Sequence, residues 1–340
     1  MAGHKLRISR RGIIKASGGL AAILATGQAP AFAQAKPKKM LIVYTTPPPD
    51  IPAVGLEWFT KAINERSKGE IEAQFEAGTV LTKEVEITNA VKAGNATIGT
   101  PIGATASLFP EMGVFIVPYL ISSYQQAYKT LDGPVGEKLN KVFIDKYQVK
   151  PLFYFDLGFR HFFNSKRPIN EPADLRGLKI RAQPSKIFAD TINALGAVAV
   201  PMPFTEVVTA ATQGVIDGGD YPTANMHANR FWEISKFYSM TYHNYGASVM
   251  LMNLAFWNGL RPDQQTLVQE TAREAQKIIR NGMDSVDSLA GAKKLLEPNG
   301  MKVNAANIEA FKKQAVDKLW PNYKQQYSEL WDQIVATSAG

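Results

Sequence analysis

Apolar residues occur along the chain in two patterns, short uninterrupted runs and longer stretches with helical spacing. The run at residues 40–44 does not alternate with polar residues and predicts a strand buried on both faces, as in a parallel sheet. Residues 53–67 carry apolar side chains at helical spacing before Gly69, which indicates an amphipathic helix. The βαβ succession predicts an α/β fold with a helix-covered parallel sheet. Further strands are predicted at 71–75, 97–100, 113–117 and 150–155, and helices at 82–93 and 124–147.

A second α/β segment follows the first. Its predicted strands lie at 160–164, 179–181, 197–200 and 248–254, and its predicted helices at 185–195 and 205–213. The C-terminal part is helical, with a long helix at 262–296 and another at 304–335 that we expect to break at Trp320-Pro321. Two such segments with several chain crossings predict two lobes around a ligand cleft. The Thr45-Thr46-Pro47 loop after the first strand is a candidate wall of that cleft.

The first 33 residues have the features of an export signal. Ser9-Arg10-Arg11-Gly12 is a twin-arginine pattern, and a short, weakly apolar stretch leads to Ala31-Phe32-Ala33, which a signal peptidase accepts. We therefore predict that residues 1–33 are a twin-arginine signal peptide cleaved after Ala33, and that the mature protein is periplasmic. The later apolar runs, at 112–121 and 246–257, are too short to span a membrane.

Composition narrows the possible chemistry. The net charge of the 340 residues is +8, but the leader holds five basic and no acidic residues, which leaves +3 for the rest. That excess is too small to predict nucleic-acid binding. The chain has no cysteine, and His161, His227 and His243 lack metal-ligand spacing, so we interpret them as packed or surface residues. Nucleophile, phosphate-loop, dinucleotide and zinc-protease motifs are missing, so we predict neither a cofactor nor an enzymatic activity.

Four segments between Asp174 and Gly218 follow one another in a specific order. They are Asp174-Leu175-Arg176-Gly177-Leu178-Lys179-Ile180-Arg181, Leu195-Gly196-Ala197, Pro201-Met202-Pro203-Phe204-Thr205-Glu206-Val207 and Gln213-Gly214-Val215-Ile216-Asp217-Gly218. This order closely resembles the substrate-binding proteins of tripartite ATP-independent periplasmic (TRAP) transporters. The resemblance extends over essentially the whole chain after the leader.

The resemblance implies a two-lobed clamshell, the periplasmic binding protein fold with long C-terminal helices. We expect residues 37–158 with 246–285 to form the N-terminal lobe and residues 159–245 with 286–335 to form the C-terminal lobe. The resemblance also implies a receptor that binds a small organic acid and delivers it to the integral membrane permease subunits of a TRAP transporter. We expect this receptor to be a monomer. A periplasmic enzyme that acts on a carboxylate is the alternative class.

The resemblance also assigns site residues. Arg181 ends the K-I-R motif, where the family pairs the ligand carboxylate, and a planar guanidinium suits such a pair. Arg160 stands where a second family arginine lies, and Phe204 matches an aromatic residue that packs on the ligand. Asp220-Tyr221 falls where many members have glutamate-asparagine, so Tyr221 would give the pocket a flat apolar face and a hydroxyl. The remaining candidate ligand-binding residues are Thr45, Thr46 and Tyr245.

The resemblance implies that the ligand carries a carboxylate but does not identify the rest of the ligand. Arg160 and Arg181 could hold the two ends of a C4-dicarboxylate, or share one carboxylate and a neighbouring hydroxy or keto oxygen. Several aromatic residues near the cleft favour a monocarboxylate with an apolar or aromatic body, because burying such a body contributes about 25 cal/mol per Å². Some keto-acid-binding relatives also use a cation with a second acidic ligand. Residues 237–261 contain no aspartate or glutamate, so no metal is predicted.

Overall fold

One mixed sheet of nine strands runs through the part of the chain that the structure describes. The structure, a computed structural model, describes residues 36–338, so the predicted signal peptide and its cleavage site lie outside the described residues. The strands are β1 (Lys38–Tyr44), β2 (Ile71–Ala77), β3 (Ile98–Gly99), β4 (Val149–Asn164), β5 (Lys179–Ala182), β6 (Val198–Pro201), β7 (Gly218–Tyr221), β8 (Phe237–Asn253) and β9 (Lys302–Ala305).

The sheet is parallel at its two ends and antiparallel in its centre. Its order is β2-β1-β3-β8-β4-β7-β5-β6, with β9 paired to β8. Strands β2, β1 and β3 pair in parallel, as do β7, β5 and β6, which confirms the parallel prediction for these two groups. The prediction is wrong for most of the centre, where β4 and β8 pair antiparallel with each other and with β7 and β3, respectively, although β9 pairs with β8 in parallel.

The two central strands are much longer than the sequence predicted. Strand β4 has 16 residues and β8 has 17; β8 pairs with β3 of one parallel group and β4 with β7 of the other. The predicted strands at 150–155 and 160–164 are therefore one strand. Irregular pairing between Asp156 and Gly158 bends it, and Gly158 has a φ of +96°, which favours glycine. This bend interrupts the hydrophobic pattern and makes one strand look like two.

Helices cover both faces of the sheet, as predicted. They are α1 (Ile51–Arg66), α2 (Glu84–Ala93), α3 (Thr105–Leu108), α4 (Tyr124–Leu131), α5 (Pro134–Tyr147), α6 (Lys186–Leu195), α7 (Val207–Thr212), α8 (Thr223–Ala228), α9 (Leu254–Asn258), α10 (Pro262–Val286), α11 (Leu289–Leu296), α12 (Ile308–Gln326) and α13 (Ser328–Ala336). Among residues 36–338, no helix is both long enough and apolar enough to cross a membrane. The prediction of an α/β fold is confirmed.

Successive side chains of β1 enter different hydrophobic cores. Ile42 packs in a cluster with α1 and α10, whereas Val43 belongs to a second cluster with α2 and α5. Helices α1 and α10 approach closely at Gly55, where an added Cβ would lie 2.4 Å from the Ile279 side chain. A third cluster, built by α7, α8, α11 and the end of β4, packs behind β7. Strand β7 carries two of the predicted site residues.

The strand predicted at residues 113–117 is wrong. The chain forms a 3₁₀ helix at Pro110–Ile116, with all residues from Met112 to Ile116 buried. A short buried apolar run has no periodicity that separates a strand from a buried helical turn. Pro110 and Pro118 flank the run and donate no backbone hydrogen bond, which disfavours a central strand there.

The long helix predicted at 262–296 is interrupted. It ends at Val286, and α11 begins after Ser288, whose hydroxyl oxygen accepts a hydrogen bond from the Gly291 backbone N–H at 3.0 Å. The apolar spacing continues across the interruption, which is why the periodicity alone did not reveal it. Asp287 lies in the break and is buried.

The break predicted at Trp320-Pro321 is also wrong. Pro321 lies inside α12, which continues to Gln326. Trp320 donates its indole N–H to the Pro118 carbonyl at 2.9 Å and packs edge-on against Trp331. These tertiary contacts outweigh the backbone hydrogen bond that the proline removes. The first residues of the predicted helix instead form the short strand β9.

Candidate functional site

Arg160 and Asp220 form a buried ion pair in the centre of the sheet. Strands β4 and β7 are antiparallel neighbours, with Phe162 opposite Asp220. Arg160 Nε donates to Asp220 Oδ2 at 2.6 Å and Nη2 donates to Oδ1 at 3.0 Å. Arg160 Nη2 also donates to the Asp220 carbonyl. Most of the hydrogen-bonding capacity of Arg160 is therefore directed at Asp220.

His243 of β8 completes this pair. Its Nε2 lies 3.2 Å from Asp220 Oδ2, and its Nδ1 lies 2.8 Å from the Thr241 hydroxyl. Burial lowers the pKa of His243, against the opposing effect of the Asp220 charge. Burial would raise the pKa of Asp220, but the Arg160 charge and the hydrogen bonds from His243 and Arg160 hold it below its ordinary value. An ionised Asp220 beside a neutral imidazole therefore balances the charge of Arg160.

Arg181 is also buried but has no carboxylate partner among residues 36–338. It lies in β5 with 2% of its surface exposed, and its Nε donates to the Met202 carbonyl at 3.1 Å. Its Nη1 is buried and has no hydrogen-bond partner within the described residues. Burial lowers the pKa of Arg181, and the nearby charge of Arg160 acts in the same direction. A buried guanidinium with an unused donor can pair with an anion.

The ring of Tyr221 lies close to both guanidinium groups. The ring centroid is 5.2 Å from the Arg160 guanidinium carbon and 5.4 Å from that of Arg181. The Tyr221 hydroxyl is buried without a hydrogen-bond partner within residues 36–338. Burial raises the pKa of Tyr221 to about 12, despite the opposing charges of the two arginines. The hydroxyl is therefore neutral at physiological pH and available as a hydrogen-bond donor.

Phe204 extends this apolar surface towards solvent. It packs edge-on against Tyr221 at 5.7 Å and against Phe231 at 6.0 Å, while 43% of its surface stays exposed. Phe163 and Phe231 also pack against the Tyr221 ring. Phe204 is thus the partly exposed member of an aromatic cluster that adjoins Arg181.

Gln183 connects this cluster to the turn after β3. With its amide oriented to satisfy both neighbours, its oxygen accepts from Arg160 Nη1 at 3.3 Å and its nitrogen donates to the Gly103 carbonyl at 3.3 Å. Sequence reasoning missed this residue. The available signal was its position two residues after Arg181, which places both on one face if the strand continues.

Three predicted residues make their contacts elsewhere. Thr45 and Thr46 follow β1, and their hydroxyl oxygens are 3.4 Å apart. Tyr245 of β8 is 1% exposed, donates its hydroxyl to Asp156 and packs against Phe159. Arg160, Arg181, Phe204, Asp220 and Tyr221, by contrast, are joined by the contacts described above.

Acidic and imidazole groups do not assemble into a metal centre within residues 36–338. No cluster of three or more histidine, aspartate or glutamate side chains there is arranged to hold a metal ion. His161 contacts Asp287 at 3.0 Å, and His243 contacts Asp220. Both histidines are fully buried, in agreement with the interpretation of packed residues, but each also holds a carboxylate that the sequence did not reveal.

Comparison with known proteins agrees with the sequence motifs. Residues 42–326 match the family model for bacterial extracellular solute-binding protein, family 7. The chain is similar to the 2,3-diketo-L-gulonate-binding periplasmic protein of Escherichia coli K12, with 33% identity over 240 residues that cover 70% of this chain and 72% of that protein.

Two solved structures extend the similarity. A TRAP periplasmic solute-binding protein from Bordetella bronchispeptica, with bound density assigned as pantoate, has a TM-score of 0.80 and 28% identity, covering 88% of this chain and 99% of that chain. A second, from Sulfurospirillum deleyianum with bound succinate, has a TM-score of 0.78 and 28% identity, with the same coverage of 88% and 99%. These relatives are receptors rather than enzymes, and the two-lobed fold prediction is confirmed. The chain therefore belongs to family 7 of the bacterial extracellular solute-binding proteins, as a TRAP-type solute receptor.

Proposed function

We propose that this protein is a periplasmic receptor for a small monocarboxylate with an apolar or aromatic body, and that Arg181 binds the carboxylate. The observation that carries the proposal is that the Arg181 guanidinium is only 2% exposed and that its Nη1 has no hydrogen-bond partner in the part of the chain that the structure describes. A buried charge without a partner destabilises a protein unless a ligand supplies the missing interaction. A carboxylate suits the planar donor geometry of arginine.

The charges around the site favour one carboxylate. Asp220 neutralises Arg160 through two side-chain hydrogen bonds, so Arg181 is the cation of the pair that lacks a protein carboxylate partner. A dicarboxylate held with one arginine at each end would place its second carboxylate on Arg160 Nη1, in competition with the Gln183 amide and beside the Asp220 carboxylate. Repulsion between two carboxylates on one guanidinium supports the monocarboxylate over the C4-dicarboxylate alternative.

The aromatic cluster supports an apolar ligand body. Phe204 is 43% exposed beside the Tyr221 ring, so a ligand that covers it would remove apolar surface from water. Such burial contributes about 25 cal/mol per Å². A compact, fully polar acid would gain little from this surface.

A hydroxy or keto acid is the second candidate, because the Tyr221 hydroxyl is buried and unpartnered next to Arg181. A ligand oxygen adjacent to the carboxylate would accept its hydrogen bond. Pantoate, assigned in the Bordetella relative, has a branched apolar body and a hydroxyl next to its carboxylate, so it satisfies both candidates.

The proposal includes transport. We propose that residues 37–158 with 246–285 and residues 159–245 with 286–335 are lobes that close on the ligand, and that the closed receptor delivers it to TRAP permease subunits. Strands β4 and β8 support this division because both run continuously through the proposed crossing, where Gly158 pairs with Gly246. Export to the periplasm would remove residues 1–33. Mass spectrometry of the exported protein should then show a chain that begins at Gln34.

A thermal-shift panel tests the ligand class. Branched and aromatic monocarboxylates, hydroxylated sugar acids and C4-dicarboxylates are each incubated with the purified protein, and ligand binding raises the melting temperature. The largest increase should come from a branched or aromatic monocarboxylate, with a further gain when an adjacent hydroxyl is present. A response to succinate, malate or fumarate alone would contradict the proposal. Unchanged recovery of the acid after incubation separates a receptor from an enzyme.

A further inference from the structure

The buried carboxylate of Asp287 receives hydrogen bonds from several separate segments. Asp287 lies between α10 and α11 with 7% of its surface exposed. Its Oδ2 accepts from the Tyr124 hydroxyl at 2.6 Å and from the Phe159 backbone N–H at 2.8 Å. Its Oδ1 accepts from the Thr223 hydroxyl at 3.3 Å and lies 3.0 Å from His161 Nε2. One side chain thus joins α4, β4, α8 and the helix break.

The histidine is oriented for this contact. The Tyr242 backbone N–H donates to His161 Nδ1 at 3.1 Å, so the hydrogen of a neutral imidazole lies on Nε2 and is directed at Asp287. An ionised carboxylate only accepts hydrogen bonds and can satisfy all these donors, whereas an amide would direct its own NH₂ at one pair of them. The site is therefore specific for a carboxylate.

The segments that Asp287 holds carry the candidate ligand site. Phe159 and His161 flank Arg160 in β4, and Thr223 follows Tyr221 by two residues. Tyr238 strengthens the second connection, because its hydroxyl donates to the Tyr221 carbonyl at 3.0 Å and contacts the Thr223 hydroxyl at 3.2 Å. Asp287 therefore bonds the backbone of β4 directly and is connected to the backbone of β7 through the Thr223 and Tyr238 hydroxyls.

We infer that Asp287 is a positioning residue, which fixes the site-bearing parts of β4 and β7 relative to α4 and so holds the two proposed lobes in a defined relation. The inference rests on the proposed function, because it takes Arg160, Asp220 and Tyr221 as parts of the ligand site. Tyr124 lies in the proposed N-terminal lobe and Thr223 in the C-terminal lobe, so the carboxylate links both. Its loss should loosen this link without unfolding either lobe.

Distance measurement on the unliganded protein tests this inference without knowledge of the ligand. The chain has no cysteine, so Lys61→Cys in α1 and Thr209→Cys in α7, both exposed, place one spin label in each proposed lobe. Asp287→Asn in this background should broaden the distance distribution measured by double electron–electron resonance. Asp284→Asn is the matched control and should leave the distribution unchanged, because Asp284 is an exposed aspartate three residues earlier, in the last turn of α10.

If Asp287→Asn does not fold, variants that each remove one hydrogen-bond donor to Asp287 still test the inference. Tyr124→Phe and Thr223→Val each remove one hydroxyl, and at least one of them should broaden the distribution. A folded Asp287→Asn with the wild-type distribution, or unchanged distributions in both single-donor variants, would overturn the inference even if the melting temperature falls.

A second measurement connects Asp287 to binding. With the acid selected by the thermal-shift panel, Asp287→Asn should weaken affinity about tenfold, as expected for coupling through a packed network. Unchanged affinity would refute the positioning role. If no acid binds the wild-type protein, the proposed function fails, and the distance measurement still decides the inference about Asp287.

Discussion

Replacement of Arg181 should affect two measurable quantities differently, the affinity for the ligand and the stability of the protein without ligand. In Arg181→Ala the carboxylate would lose its charge-assisted partner, and truncation of one partner of a buried pair costs about 2–5 kcal/mol. Affinity should therefore fall roughly 30-fold to a few-thousand-fold. Arg181→Lys should also bind weakly, because an ammonium group cannot reproduce the guanidinium fork or the Nε bond to the Met202 carbonyl.

Removal of the Arg181 charge should weaken ligand binding but increase the free energy of unfolding measured without ligand. Arg181 is 2% exposed, and its Nη1 has no hydrogen-bond partner within the described residues, so the folded apo protein bears the desolvation of this charge. Arg181→Met keeps an extended side chain in the same space without the charge. We expect this variant to raise the free energy of unfolding of the apo protein by about 1–4 kcal/mol, by analogy with buried ion pairs that are replaced by well-packed apolar side chains.

Two assays on the same variants test the predicted changes in affinity and in apo stability. Calorimetric titration with the acid selected by the panel gives affinity, and urea denaturation without ligand gives stability. Arg176→Ala is the matched control, because Arg176 is an exposed arginine five residues earlier in the same motif and should change neither quantity. Affinity of Arg181→Ala within a few-fold of wild type would refute the assignment of Arg181. A strongly destabilised apo Arg181→Met would refute the view that its charge is uncompensated.

Three further outcomes follow from the buried charges and the strand crossing. Asp220→Asn leaves the Arg160 charge without its carboxylate and should lower the free energy of unfolding by about 3–5 kcal/mol in urea denaturation. Burial raises the pKa of Asp156 from 3.8 to about 6, so the folded state keeps this proton longer, and a contribution of about 3 kcal/mol present below pH 3.8 is lost as pH rises through 6. In urea denaturation at several pH values, the free energy of unfolding of Asp156→Asn relative to wild type should therefore rise by about this amount between pH 3.8 and pH 6, because Asp50 and His243, whose pKa values burial also shifts, contribute equally to both proteins. Small-angle scattering should show a smaller radius of gyration with saturating acid, and identical profiles would contradict lobe closure.

The sequence predicted a strand or helix correctly where the residues of that segment alone determine its structure. Strand β1 and helix α1 were predicted within two residues of their observed ends, because an apolar run and a periodic helical face are each contained in one segment. Pro321 shows the limit of such signals. Its effect on α12 is decided by contacts of Trp320 with Pro118 and Trp331, which are distant in sequence.

The site was predictable residue by residue but not as an arrangement. Motif position identified Arg160, Arg181 and Asp220 as candidates, yet nothing in their spacing showed that Asp220 pairs with Arg160 and not with Arg181. That choice depends on β7 lying beside β4, sixty residues away along the chain. His243 reaches the same carboxylate from β8, so its role also depends on the order of strands in the sheet.

The difference between the two arginines gives the site a basis for selecting ligands by charge. Arg160 is neutralised by a carboxylate of the protein, and in the proposed function Arg181 pairs with one carboxylate of the ligand. Burial lowers the pKa of Arg181, whereas the negative charges of Asp220 and of Glu84, in the first turn of α2, act to raise it. In the proposed function these charges would oppose a second ligand carboxylate, because Arg160 is already paired with Asp220. An apolar end, in contrast, would meet the exposed part of Phe204, so charge and apolar surface favour the same class of acid.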